Sequence, residues 1–482
     1  MADVIPMPAP APVAKPTPKP AARCGVLRAL GLYGLDEIEP VLLAALTTGD
    51  PLLLIGPHGT AKSLLLTRVA TALGLSFRHY NASLLNFDDL VGFPMPDKAG
   101  KLEYVRTPAA IWGAGAVIFD EISRCRPDIQ NKLFPIIHER KVQGLALEEL
   151  RFRWAAMNPP STDEDDNGYA GSEPLDAALA DRFVFIVSMP DWTQLDADDQ
   201  RAIVQANDAP VQAADAQRLA ATLERTRLLL ATVNAMHAAQ LAGYVQILVT
   251  LLQQADLPLS ARRAGILFRS ILAVHAAALA LDPSTPLRES VWLAVCNAIP
   301  QRAQGIAVAP VKLLAAHRDA WRLAGSAADD PLRPILCTND PLERLQLALF
   351  TPQLGRDDTS RVVADVLAQL SPGARDAATV YLFEQDGVGR LNAAIAEQVA
   401  ERYQQIACAP EFSESLHAAQ PRFMTWMRVK DLLSRLDPND AHDRSHANAL
   451  ASAFANNRLA TPADAERLFN DYARARRQLG TS

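Results

Sequence analysis

The octapeptide Gly56-Pro57-His58-Gly59-Thr60-Ala61-Lys62-Ser63 follows an apolar run, Pro51-Leu52-Leu53-Leu54-Ile55, and opens a helical pattern. A loop between a buried strand and a helix N-terminus is where backbone N–H groups converge on an anion, so the segment reads as a phosphate loop. Lys62 would set a point charge against the β- and γ-phosphates, and the Ser63 hydroxyl would ligate Mg²⁺. Lysine is not this chain's default cation, with nine lysines against 38 arginines. The general loop pattern has its second glycine where Ala61 stands, so the backbone there must keep a conformation open to alanine. A glycine-rich turn before an ordinary helix is the plain alternative.

A second apolar run, Ala116-Val117-Ile118-Phe119, ends in Asp120-Glu121. A carboxylate at the C-terminal end of a parallel strand sits where such sheets hold ligands. Asp120 would hold Mg²⁺ through water, and Glu121 would orient and deprotonate an attacking water. A third run, Phe152–Met157, ends in Asn158-Pro159-Pro160, whose amide would position that water. Leu175–Phe183 reads as a short helix leading to a fourth strand, with Arg182 at its end. Taken alone, Asp120-Glu121 is a polar turn, Asn158 a turn-former and Arg182 a surface arginine; the phosphate loop upstream changes their weight.

These residues need a sheet to hold them. Four short apolar runs separated by helical stretches, the last being Phe183–Val187, predict buried parallel strands with helical crossovers, an α/β domain over 23–192. Residues 1–22 are rich in Pro and Ala and read as an extended, solvated tail. Beyond Trp192 the strand signal ends: 193–325 reads as a helical lid and 340–482 as an all-α C-terminal region. Thr461-Pro462-Ala463-Asp464 is a well-formed start for its last helix.

Composition excludes several classes. The chain has 482 residues and a net charge of −7, which gives no general attraction to nucleic acid or anionic membrane. Five dispersed cysteines without a CxxC pair argue against a disulfide framework or a zinc site and fit a reducing, cytoplasmic setting. No signal peptide and no membrane span are expected. Asp163-Glu164-Asp165-Asp166 reads as a solvated loop and Phe423, Trp426 and Met427 as core.

In order, these motifs resemble the AAA+ superfamily of P-loop NTPases, specifically the MoxR branch with its CbbQ/NorQ-like and dynein-related relatives in the helix-2-insert clade. The resemblance covers roughly residues 30–275. It includes Gly34-Leu35-Asp36-Glu37, the loop GPHGTAKS, Asp89-Leu90-Val91-Gly92 and Asp120-Glu121-Ile122-Ser123-Arg124 with Gln130, Leu133, Glu139 and Arg140. It continues through Asn158-Pro159 and Tyr169-Ala170-Gly171 to Arg182-Phe183. His58 departs from the usual small residue. The resemblance implies ATP and Mg²⁺ as cofactors, ATP hydrolysis at the interfaces of a homo-oligomeric ring, a hexamer in this family, and a chaperone-like remodelling role.

By resemblance, Asn158 is sensor 1, Arg182 the arginine finger acting on the adjacent subunit, and 84–110 the helix-2 insert. Ser260-Ala261-Arg262 stands where the family has Ser-Pro-Arg, which makes Arg262 sensor 2, with Arg263 beside it as competitor. Arg124 and Arg126 compete with Arg182 for the finger. A partner carrying a von Willebrand factor A domain is also implied. A nucleotide-dependent scaffold with little turnover, and a DNA-directed motor, are the other functional readings.

Overall fold

The computed structural model describes residues 25–96, 102–105, 107–160, 172–206, 209–327, 329–407 and 421–480. The tail 1–22, Lys101, the acidic run Asp163–Asp166 and Tyr169–Gly171 lie outside the described residues.

Strands β1 (Leu52–Ile55), β2 (Phe77–Asn81), β5 (Ala116–Asp120), β8 (Phe152–Met157) and β9 (Phe185–Ser188) form one parallel sheet in the order β2-β5-β8-β1-β9. Between them, β3 (Phe93–Pro96) and β4 (Leu102–Val105) make an antiparallel hairpin, and β6 (Lys141–Val142) and β7 (Leu145–Ala146) a second, smaller one. β1, β5 and β8 read as continuous apolar runs because both faces of a parallel sheet are covered, and all of β1 and β8 is buried.

The register fixes the site. Ile55 pairs with Met157 and with Ser188, and Asn81 pairs with Asp120, so the C-terminal strand ends lie along one edge. The chain leaves β1 for the far edge at β2, steps back through β5 and β8, and reaches β9 on β1's other side. Ligand crevices form where strand order reverses in this way, outside the carboxyl ends of the strands.

Helices close both faces. Lys62–Ala72 buries Leu65, Leu66, Val69 and Ala70 at helical spacing against the sheet, leaving its first turn at the edge. Pro127–Glu139 starts with proline at its first position and buries Ile129, Leu133, Ile136 and Ile137. Glu39–Thr48 is buried almost all round because the lid helix Ala261–Leu281 covers its outer side. In the insert, Asn86 and Asp89 form a capping box on Phe87–Val91, and the hairpin after it leaves Phe93, Met95 and Val105 exposed.

The chain forms two compact units: Met1–Val245 with Leu259–Leu314, and Gln246–Pro258 with Ala315–Ser482. The first holds the α/β layers and the lid helices Ala261–Leu281 and Leu287–Cys296. The second is helical throughout its described residues. Its last helix, Pro462–Gly480, is started by reciprocal bonds between Thr461 and Asp464, as the sequence predicts. That helix lies tight against Pro372–Glu384: a Cβ on Gly373 would stand 2.3 Å from the Leu468 carbonyl. Nearby, Val429, Leu432, Leu450 and Phe454 form a core with Trp426 packed on it. Met427, expected in a core, is exposed, because the helix turns Thr425, Val429 and Leu432 inward and leaves 427 on the outer face.

One further expectation needs correcting. Ala213–Gln254 and Ala261–Leu281 are both long and apolar enough to cross a membrane, whereas no such stretch was expected. Scattered Gln, Asn, His and Thr mask the apolar character of the first. The second buries 67% of its apolar window inside the protein, which is what a core helix does.

Candidate functional site

The loop after β1 is shaped by its glycines and by one exception. A Cβ on Gly56 would come 2.8 Å from Met189 Cβ and 2.9 Å from Thr60 Oγ1, so the close turn out of the strand excludes any side chain. Gly59 has φ +79° and faces open space. Ala61, at the first turn of the helix, has φ +57° and ψ +23°. The conformation is therefore left-handed, not one open to alanine as the substitution requires, and a Cβ there costs on the order of 1–2 kcal/mol. Ala61→Gly should relieve that strain. After subtracting the extra freedom glycine gives the unfolded chain, folded-state stability should rise by about 0.5–1 kcal/mol. A lower urea midpoint for the α/β transition would show that the loop is not strained at this residue.

Lys62 folds back over the loop. Its Nζ donates to the carbonyls of Gly56 (2.7 Å) and Pro57 (2.8 Å), with Asn158 Oδ1 at 3.4 Å. Burial lowers the Lys62 ammonium's pKa from its ordinary value, and the carboxylates of Asp120 and Glu121 oppose that shift. Ser63 Oγ donates to Asp120 Oδ2 at 2.6 Å. The same oxygen has His79 Nε2 at 3.4 Å, while Oδ1 accepts the Glu121 N–H at 2.9 Å. Burial alone would raise Asp120, but the hydrogen bonds from His79, Ser63 and Glu121 outweigh it and hold the carboxyl below its usual range.

Glu121 follows with φ +53°, a second left-handed residue, on the turn that leaves β5. Asn158 leaves β8 and is 4% exposed. Its carbonyl accepts from Ser172, whose hydroxyl also bonds Ser123. Lys62, Ser63, Asp120, Glu121, Met157 and Asn158 line one cavity of about 270 Å³ with the loop residues His58–Ala61.

A larger cavity, about 780 Å³, lies on the other side of the loop. Gly56 and Pro57 form its floor, Gly34 with Asp36–Ile38 one wall, Ser188–Asp191 another, and Arg302 with Gly305–Val308 of the lid a third. Of these, sequence reasoning singled out Gly34–Glu37 and the loop but missed Ser188–Asp191 and Arg302–Val308. His79, Ser123 and Ser172 also went unassigned. Their roles depend on which strand ends are neighbours, which local pattern does not carry.

Residues 51–183 match the family model for the AAA domain of the dynein-related subfamily. They have the AAA+ fold. The match runs from the start of β1 to Phe183, and so takes in the phosphate loop, Asp120-Glu121, Asn158 and Arg182 in their strand contexts. Among solved structures, a candidate ATPase from Cytophaga hutchinsonii is 18% identical, with 61% of this chain and 83% of that chain covered and a TM-score of 0.36.

The AAA+ domain's arginines divide by environment. Arg263 is fully buried and donates to the carbonyls of Phe183, Val184 and Ala298. It ties the lid to β9 and is not free to meet a ligand. Arg262, beside it, is exposed. Ser260, which caps this helix, donates to Asp181 at 3.1 Å, bringing the helix start to the residue before Arg182. Arg182 donates to Ala178 O at 2.5 Å and lies over the Phe134 ring at 4.6 Å. Burial, then the charges of Arg262 and Arg182, hold the nearby His138 imidazole below its usual pKa. Neither Arg182 nor Arg262 lines the cavity of this chain's own phosphate loop. Arg126 is exposed, 3.7 Å from Asp128.

Proposed function

We propose that this protein is a Mg²⁺-dependent AAA+ ring ATPase of MoxR type, hydrolysing ATP between subunits to remodel or activate a partner protein. The observation that carries the catalytic part is the convergence of Lys62, Ser63, Asp120, Glu121 and Asn158 on one cavity at the C-terminal edge of the sheet. The donor set fits the cofactors: a hydroxyl and a carboxylate 2.6 Å apart suit a hard divalent cation, and the loop and helix N-terminus suit phosphate.

On this reading Lys62 exchanges its carbonyl partners for β- and γ-phosphate oxygens. Ser63 and Asp120 would hold Mg²⁺, which would supply charge neutralisation to the phosphates. Glu121 takes the proton of the attacking water, and Asn158 orients that water. Arg182 and Arg262 stand together outside the chain's own cavity, so both act on a neighbour's nucleotide, Arg182 as the finger and Arg262 as sensor 2. The exposed apolar side chains of the insert hairpin suit contact with another protein. A von Willebrand factor A domain, whose metal ion can accept a carboxylate, is the partner class proposed. A cytoplasmic hexamer is the assembly proposed.

Lys62→Ala tests the site. Leaving phosphate charge without its buried cation costs about 2–5 kcal/mol, so ATP affinity should fall roughly 30-fold or more. Unchanged affinity, measured with a fluorescent ATP analogue, would place the phosphates elsewhere.

A further inference from the structure

We infer that Arg302 is a nucleotide-binding residue that acts on the same chain's ligand, supplying a guanidinium to the phosphate next to the ribose. This rests on the ATP-binding reading above and adds a residue to it. Arg302 ends the short turn Pro300–Arg302 and is the cationic residue among those lining the larger cavity, whose floor, Gly56 and Pro57, belongs to the phosphate loop. A ligand with its terminal phosphates at Lys62 that crosses the loop into this cavity places its nucleoside end in the space Arg302 lines.

Two observations separate this residue from an ordinary lid arginine. The first is that its place is fixed by the backbone. Leu175 N donates to Ala303 O at 2.9 Å and Ile186 N to Asn297 O at 2.8 Å, and Ala303 is part of the α/β core. The turn is tied to β9 on one side and to Leu175 on the other, so the backbone that carries the guanidinium is held against the α/β layers. The second is that its hydrogen bonding is incomplete. Nη1 donates to Ser188 Oγ at 3.2 Å in an exposed contact, and among the described residues no carboxylate pairs with it. A planar guanidinium at a cavity wall, held by one exposed hydroxyl and by no carboxylate, is suited to bind an anion.

Four of the five acidic residues around the cavity are already engaged. Asp36 and Asp199 are paired with Arg28 at 2.7 and 2.5 Å, and Asp191 and Asp196 cap helical turns. Asp36 and Asp199 share one cation and the two caps accept backbone N–H groups, which leaves Arg302 and Glu37 as the charged lining residues without such partners among the described residues.

Direct binding of ATP, ADP and adenosine to the full-length wild type and to Arg302→Ala tests the idea. Loss of a charge-assisted contact should weaken ATP and ADP roughly ten- to hundredfold, and adenosine less than about twofold. Equal loss of adenosine would mean that the substitution merely collapses the cavity, and ADP affinity within twofold of wild type would mean that Arg302 makes no phosphate contact; either overturns the inference. If Arg302→Ala does not fold, Arg302→Lys and Arg302→Gln carry the same test: lysine should keep most of the ADP affinity and glutamine should lose it, and equal affinities would overturn the assignment. A wild type that binds neither ATP nor ADP would overturn the ATPase reading itself, a result distinct from all of these.

Discussion

Glu121→Gln is expected to bind ATP as tightly as the wild type and to turn it over about 10²–10⁴ times more slowly. The amide keeps the size and shape of the side chain but cannot accept the proton of the attacking water. Nothing else in the site need change: Lys62 keeps its partners, and Asp120 keeps Ser63, His79 and the N–H of residue 121. The left-handed backbone at 121 favours neither side chain over the other, so the strain there stays constant across the comparison. Steady-state phosphate release and equilibrium ATP binding, measured on the same preparations, separate the two effects. Equal turnover in the variant would move the general base to another residue. A wild type that binds ATP but releases phosphate no faster than Glu121→Gln would favour a nucleotide-dependent scaffold.

The parts of this site that were legible in the sequence are those whose chemistry and secondary-structure context are local. The phosphate loop, Asp120-Glu121 and Asn158 each follow directly on a buried strand, and a parallel strand buried on both faces announces itself as an apolar run. The strand Phe77–Asn81 gave no such run, because Arg78 and His79 interrupt it at the edge of the sheet, and His79 was missed with it. Ser188 and Arg302 line the larger cavity only because β9 pairs with β1 and the lid turn packs back on the core, contacts separated by more than a hundred residues. The choice between Arg262 and Arg263 was likewise open to a sequence reader. A one-residue step on a helix turns a side chain by about 100°, and only packing shows which of two adjacent arginines faces inward. Arg263 does, onto three carbonyls. Ala61 is the converse case: the sequence flagged the residue, but its backbone dihedrals alone revealed the strain.

Arg182→Ala is expected to bind ATP normally and to hydrolyse it about 10³-fold or more slowly, the effect typical of an arginine that neutralises transition-state charge. On the proposed ring reading this arginine serves another chain. It is absent from the lining of its own catalytic cavity, and its guanidinium is parked on Phe134 and the Ala178 carbonyl. A cation resting half-exposed on an aromatic ring loses only about 0.5–1 kcal/mol on leaving it, so a neighbour's phosphates can draw it away. A ring built from head-to-tail interfaces gives a quantitative test, since each site joins the phosphate loop of one subunit to the finger of the next. Lys62→Ala retains a sound finger and Arg182→Ala a sound loop, and each is nearly inactive alone. Mixed equally and at random, about a quarter of the interfaces unite the two intact halves, and activity should recover towards that fraction of wild type. With subunit exchange verified by differently labelled chains, mixtures no more active than the separate variants would mean that the site is not shared. Arg182 would then have to reach its own nucleotide by a rearrangement that removes it from Phe134, and Arg182→Ala should then lose cation–π packing and activity together within a single chain.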